Sequence, residues 1–182
     1  GRIPLAQHYQ ALAEEAAQRK AAADEKTFPN LLRFLKASQL EKQLNFKAVE
    51  TERTRFLETL TGSLPKQEMD RLLQQSLELK QGLITPATFY GHLKTHLKTG
   101  QSSNTPSLTQ YIEYLSLFEG IDHAALFTEV ENLSDQVKDS YFTTKDQRRL
   151  AQVAKDVRVL GDLIELKLTP DSYDYYRTHK KE

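Results

Sequence analysis

The chain has 182 residues, 25 of them lysine or arginine and 25 aspartate or glutamate, so its formal net charge is zero; its mean hydropathy is −0.61. A neutral chain has no general attraction to nucleic acid or to an anionic membrane, and a chain without cysteine has no disulfide, thiolate-metal or thiol chemistry. No run approaches the roughly 18 apolar residues of a membrane span, so membrane insertion is not expected.

Apolar spacing is helical nearly throughout, which predicts an all-α fold with helices at 5–24, 29–61, 65–81, 86–98, 106–119, 122–141, 144–168 and 170–180. The first helix, in residues 1–28, is alanine-rich ("ALAEEAAQRKAAADE") and has little bulk to bury. Helix starts are legible further on. "ITPATF" sets Thr85 as N-cap and Pro86 as first helical residue, with Ile84 and Phe89 as a hydrophobic staple. "LTPDSY" repeats that order at Thr169 and Pro170. "NTPSLTQY" gives a start at Thr105, "GSLPKQE" one near Ser63, and "TKDQ" a capping box between Thr144 and Gln147.

"TGQSSNTPS", residues 99–107, lacks apolar side chains and reads as a linker. It separates a first lobe at 29–98 from a second at 108–182, unless the two pack as one domain. Two antiparallel seams dominate the second lobe. Leu126, Val130, Leu133, Val137 and Tyr141 form one, and Leu150, Val153, Val157, Leu160 and Ile164 the other. Both have coiled-coil spacing, and the short "FTTK" connection favours packing one against the other. Val159, Leu163 and Leu166 give the later helix a second apolar stripe. A helix apolar on two sides needs neighbours on two sides, so the whole reads as an elongated antiparallel bundle.

An internal repeat is also suggested. "PNLLRFLKASQLEKQLN" (29–45) matches "PSLTQYIEYLSLFEGID" (106–122), and "LELKQGLITPATFYGHLKTH" (77–96) resembles "IELKLTPDSYDYYRTH" (164–179). Two related helical lobes are the corresponding expectation.

Candidate sites are few. His92 and His96, four apart, project two imidazoles from one helical face, a spacing that can hold Zn²⁺. A third ligand must come from another helix, and Lys94 and Lys98 oppose a cation. The competing reading is that Phe89, Leu93 and Leu97 face the core and the histidines flank them. Among the aromatics, Tyr90, Tyr114 and Tyr175 are the expected partner contacts. No nucleophile elbow, phosphate-cradling glycine loop or distinctive carboxylate pair is visible, so neither an enzyme nor a cofactor is expected. No signal peptide is visible either, and because the chain opens "GRIPLAQ" without Met, that says little about compartment.

"QYIEYLSLFEGIDHAALFTEVENL" and "LGDLIELKLTPDSYDYYRTHKKE" carry a resemblance to a group of uncharacterised bacterial helical proteins, over the C-terminal two thirds of the chain. The resemblance implies an all-helical fold and export from the cytoplasm to the periplasm or beyond, and supplies no activity, cofactor or catalytic residue. The expected function is therefore a non-catalytic interaction or scaffold module that binds a protein partner or itself. The alternative is a ligand-sensing or metal-binding bundle built on His92 and His96.

Overall fold

The structure is a computed structural model that describes residues 4–19, 21, 23–97 and 105–179. Among these the chain is all-α, with nine helices and no strand. They are α1 (Leu5–Gln18), α2 (Pro29–Gln43), α3 (Phe46–Ser63), α4 (Lys66–Lys80), α5 (Pro86–Leu97), α6 (Pro106–Glu119), α7 (His123–Tyr141), α8 (Lys145–Ile164) and α9 (Pro170–His179).

Local chemistry sets most boundaries as the sequence suggests. Proline opens α2, α5, α6 and α9, where its missing N–H costs nothing. Thr85 Oγ1 accepts from Thr88 N and Thr169 Oγ1 from Ser172 N, both at 3.2 Å. Thr144 and Gln147 form the reciprocal capping box. Three details differ. The helix expected over 29–61 is two helices, because Asn45 leaves the helical conformation and its side chain accepts from Ala48 N at 3.1 Å, capping α3. Ser63 caps nothing, and its hydroxyl donates back to Thr59 O. Thr105 gives α6 no side-chain cap either; Glu52 of α3 does so instead, accepting from Leu108 N at 2.8 Å.

The chain forms two compact units, residues 29–123 and residues 1–28 with 124–182. This differs from the expected division at 99–107, much of which lies outside the described residues. In unit 29–123, α6 is the hub against which α2, α3 and α5 pack, so it belongs with the helices before it rather than with 108–182. Leu108, Ile112 and Leu115 of α6 join Val49, Phe56 and Leu60 of α3, Leu72 of α4, and Phe89, Tyr90 and Leu93 of α5 in one core. Polar contacts at the helix ends fix directions. Arg33 donates to Gly120 O at 2.8 Å, Lys36 pairs with Glu113 at 2.9 Å, and Gln43 meets Gln110 at 3.4 Å, so α2 and α6 run antiparallel. Glu119 at the end of α6 accepts from Ala87 N at 2.8 Å at the start of α5, where the helix dipole favours a carboxylate.

The other unit holds α1, α8, α9 and all of α7 but its first residue. The alanine-rich helix therefore belongs with the C-terminal helices and ends at Gln18. Its Ala16 is fully buried, and small side chains let a neighbour approach closely. Glu15 accepts from the Tyr141 hydroxyl at 2.6 Å while the Arg19 guanidinium lies 3.4 Å from that ring's centroid. Hydrogen bonds from Tyr141 and then Arg19 hold the Glu15 carboxyl below its ordinary range. The buried apolar side chains described in this unit are Tyr9, Ala16, Phe28, Leu126, Leu133, Val137 and Val159, a thinner set than in unit 29–123.

One turn recurs in both units. Gly82 has φ 72° and Leu83 N donates to Glu78 O at 2.9 Å; Leu166 has φ 57° and Lys167 N donates to Asp162 O at 2.7 Å. Each is a left-handed helix stop followed by the Thr-Pro start of the next helix.

Candidate functional site

α8 is where sequence expectation and structure part most clearly. Its seam was expected to pack on the seam of α7. In α7, Leu126, Leu133 and Val137 are indeed buried, although Tyr141 is half exposed. In α8 the relation is inverted. Leu150, Val153, Val157, Leu160 and Ile164 retain 71, 50, 63, 48 and 81% of their surface, and only Val159 is buried.

The side of α8 turned to α7 carries Val159 and a polar contact between the two helices. Lys155 of α8 donates to Asp135 of α7 at 3.1 Å, and Lys138 donates to the same carboxylate at 3.1 Å. Helical residues advance by about 100°, so Lys155 stands roughly 160° around the axis from Val157. Turning Lys155 toward α7 therefore turns the whole heptad stripe outward. Burial alone would raise the Asp135 pKa, but the hydrogen bonds from Lys138 and Lys155 prevail and hold it below the ordinary range.

α9 lies along one flank of the stripe and is clipped there by Tyr175. The Tyr175 hydroxyl donates to Asp156 and accepts from Gln152. Its ring stacks on His179 at 4.2 Å and carries the Lys155 ammonium 4.9 Å from its centroid. A groove of about 680 Å³, lined by Gln152, Asp156, Leu160, Tyr176 and His179 among others, opens between α8 and α9. Leu160 belongs both to this groove and to the stripe. The result is an apolar face of about four turns edged by aromatic and acidic groups.

The expected site residues fall elsewhere. Tyr90 is not a surface contact: it is 5% exposed, sits in the core of unit 29–123, and its hydroxyl accepts from Arg53 at 3.2 Å. Its ring meets Tyr111 edge-on at 5.4 Å, because Tyr90 stands only about 60° around α5 from the buried Leu93. Tyr114 is half-buried, stacked between Tyr111 and Phe118 at 6.3 and 5.8 Å, and burial raises its hydroxyl pKa. Tyr175 is half-buried too and serves as the clip just described. Tyr175 borders the exposed stripe.

His92 is exposed and His96 half-buried, while Phe89 and Leu93 fill the core. Among the described residues no three His, Cys, Asp or Glu side chains converge as a metal site requires. Among them, too, no helix is long and apolar enough to cross a membrane. Glu129 of α7 is buried.

No protein-family model, curated protein or solved structure matches the chain.

Proposed function

We propose that this chain is a non-catalytic interaction module whose contact surface is the outward face of α8. The observation that carries this reading is the row Leu150, Val153, Val157, Leu160 and Ile164 standing in solvent at heptad spacing. Isolated exposed aliphatics are ordinary, but a contiguous row along one helix is characteristic of an association surface. Covering one such side chain yields about 1.5–3 kcal/mol, so leaving five uncovered forgoes several kcal/mol that a partner helix supplies. The thin core of the same unit points the same way, since its longest helix spends its best apolar stripe on solvent.

The rim adds specificity. Asp156 and Tyr176 flank the stripe on the side of α9, where an amphipathic helix laid along α8 would reach them. The test is selection of binders from a displayed library of amphipathic helical peptides against the whole chain. The reading requires that binders lose at least tenfold affinity for Val157→Asp. A binder set indifferent to both Val157→Asp and Leu150→Asp would refute it.

A further inference from the structure

We propose that the groove between α8 and α9 binds an organic cation, a guanidinium group carried on a short alkyl stem. The groove adjoins the exposed stripe through Leu160, and its chemistry does not depend on what covers that stripe.

The balance of donors and acceptors carries the argument. Gln152 Nε2 donates to Asp156 Oδ1 and to the Tyr175 hydroxyl, and that hydroxyl donates to the same Oδ1. A side-chain amide has two N–H groups and a phenol one O–H, so this network uses all its donors internally. What it leaves free are acceptors: Gln152 Oε1 and Asp156 Oδ2 have no partner among the described residues. His179 adds a third. Its Nδ1 lies 2.9 Å from Tyr175 O, which can only accept, so Nδ1 holds the hydrogen and Nε2 of the neutral ring is an acceptor.

Charge and shape narrow the ligand further. Asp156 is half-buried and has no lysine or arginine partner among the described residues; its sequence neighbour Lys155 pairs with Asp135 instead. A carboxylate set among acceptors selects a ligand that is cationic and offers only donors. Ammonium and guanidinium groups both qualify, and Tyr176 decides between them. It is half-buried, lines the groove, and makes no ring contact or hydrogen bond among the described residues. A flat guanidinium can lie on that ring while its N–H fork reaches the acceptors, and its stem covers Leu160. The groove, at about 680 Å³, falls within the roughly 300–1,000 Å³ of small-molecule sites.

The experiment is a titration of the isotope-labelled full chain with n-butylguanidinium, n-butylammonium and the neutral isostere n-butylurea, read by amide chemical shifts. Butylguanidinium should bind with a dissociation constant of about 0.3–5 mM and shift the amides of Asp156, Leu160, Tyr176 and His179. Butylammonium should bind about threefold more weakly and butylurea at least fivefold. Asp156→Asn keeps an acceptor for the Tyr175 hydroxyl and should weaken binding at least fivefold. Tyr176→Leu leaves the hydrogen-bond network untouched and should weaken it about threefold. Acetyl-arginine-amide separates two sources of the same group. Affinity within threefold of butylguanidinium assigns the site to an arginine side chain of another protein, and a larger loss assigns it to a free alkylguanidine. No saturable shift at about 50 mM butylguanidinium, equal affinity for butylurea, or binding indifferent to both substitutions would overturn the site.

Discussion

Val157 and Val159 are the same residue, two positions apart on the same helix, and they should behave oppositely. Val159 is 6% exposed and Val157 is 63% exposed. Truncation to alanine removes two methyl groups, worth about 0.8 kcal/mol each when fully buried. At Val159 the loss is therefore about 1.5 kcal/mol plus whatever cavity remains. At Val157 only about a third of it applies, roughly 0.6 kcal/mol. Alanine regains about 0.6 kcal/mol of helix propensity at either site, because a β-branched side chain is restricted in a helix. The net expectation is a cost of about 1–2 kcal/mol for Val159→Ala and about zero for Val157→Ala. Urea unfolding followed by far-ultraviolet circular dichroism measures both. At a slope of 1–3 kcal/mol/M, the transition of the α8-containing unit should shift by roughly 0.5–1 M for the first variant only. Equal costs at the two sites would mean that the heptad stripe is buried within the single chain, and the orientation of α8 given above would be wrong.

Other consequences are as direct. Leu166 holds a left-handed conformation that costs an L-residue about 1–2 kcal/mol, and at 92% exposure its side chain contributes no packing in return. Leu166→Gly should therefore raise thermal stability by about 1 kcal/mol; no gain would count against that turn. Glu52→Ala should destabilise unit 29–123 by about 1 kcal/mol by uncapping Leu108 N, with Glu52→Gln recovering part of the loss, and unchanged stability would show the cap to be unimportant. Asp135 has a depressed pKa in the folded state, so its contribution is present above the ordinary value of 3.8 and fades as pH falls through the lower folded value. The stability gap between wild type and Asp135→Asn should be a few tenths of a kcal/mol to about 1 at pH 7, and should close in acid. A gap that widens below pH 4 would contradict the assignment.

The helical class and most helix starts were legible because caps and prolines act locally. Thr85, Thr144 and Thr169 each bond residues three positions away, and nothing distant can easily override them. Asn45 shows the limit of such reading, since its short amide interrupts an apolar period that continues across it. The unit boundary was less legible. What assigns α6 to the unit of α2, α3 and α5 is Glu52 on Leu108 and Arg33 on Gly120, contacts between residues 56 and 87 positions apart. The stripe on α8 was visible as a pattern, but its direction was not. With Val159 and Leu163 on one side and Val157 and Leu160 on the other, apolar spacing allows either face to turn inward. The ion pair between Lys155 and Asp135 shows which face turns to α7, and no periodicity announces it. Tyr90 was misplaced for a related reason: adjacent Phe89 and Tyr90 can both be buried when helices cover two sides of α5.

Because the chain has no cysteine, thiol labelling tests the interaction surface most directly. Val157→Cys in dilute solution should react with a maleimide at nearly the rate of a free thiol, and should slow at least tenfold when the chain is saturated with a helical peptide selected for binding. Val159→Cys should be slow in both states. Slow labelling at position 157 in the dilute, unbound chain, or fast labelling there in the saturated complex, would contradict the account.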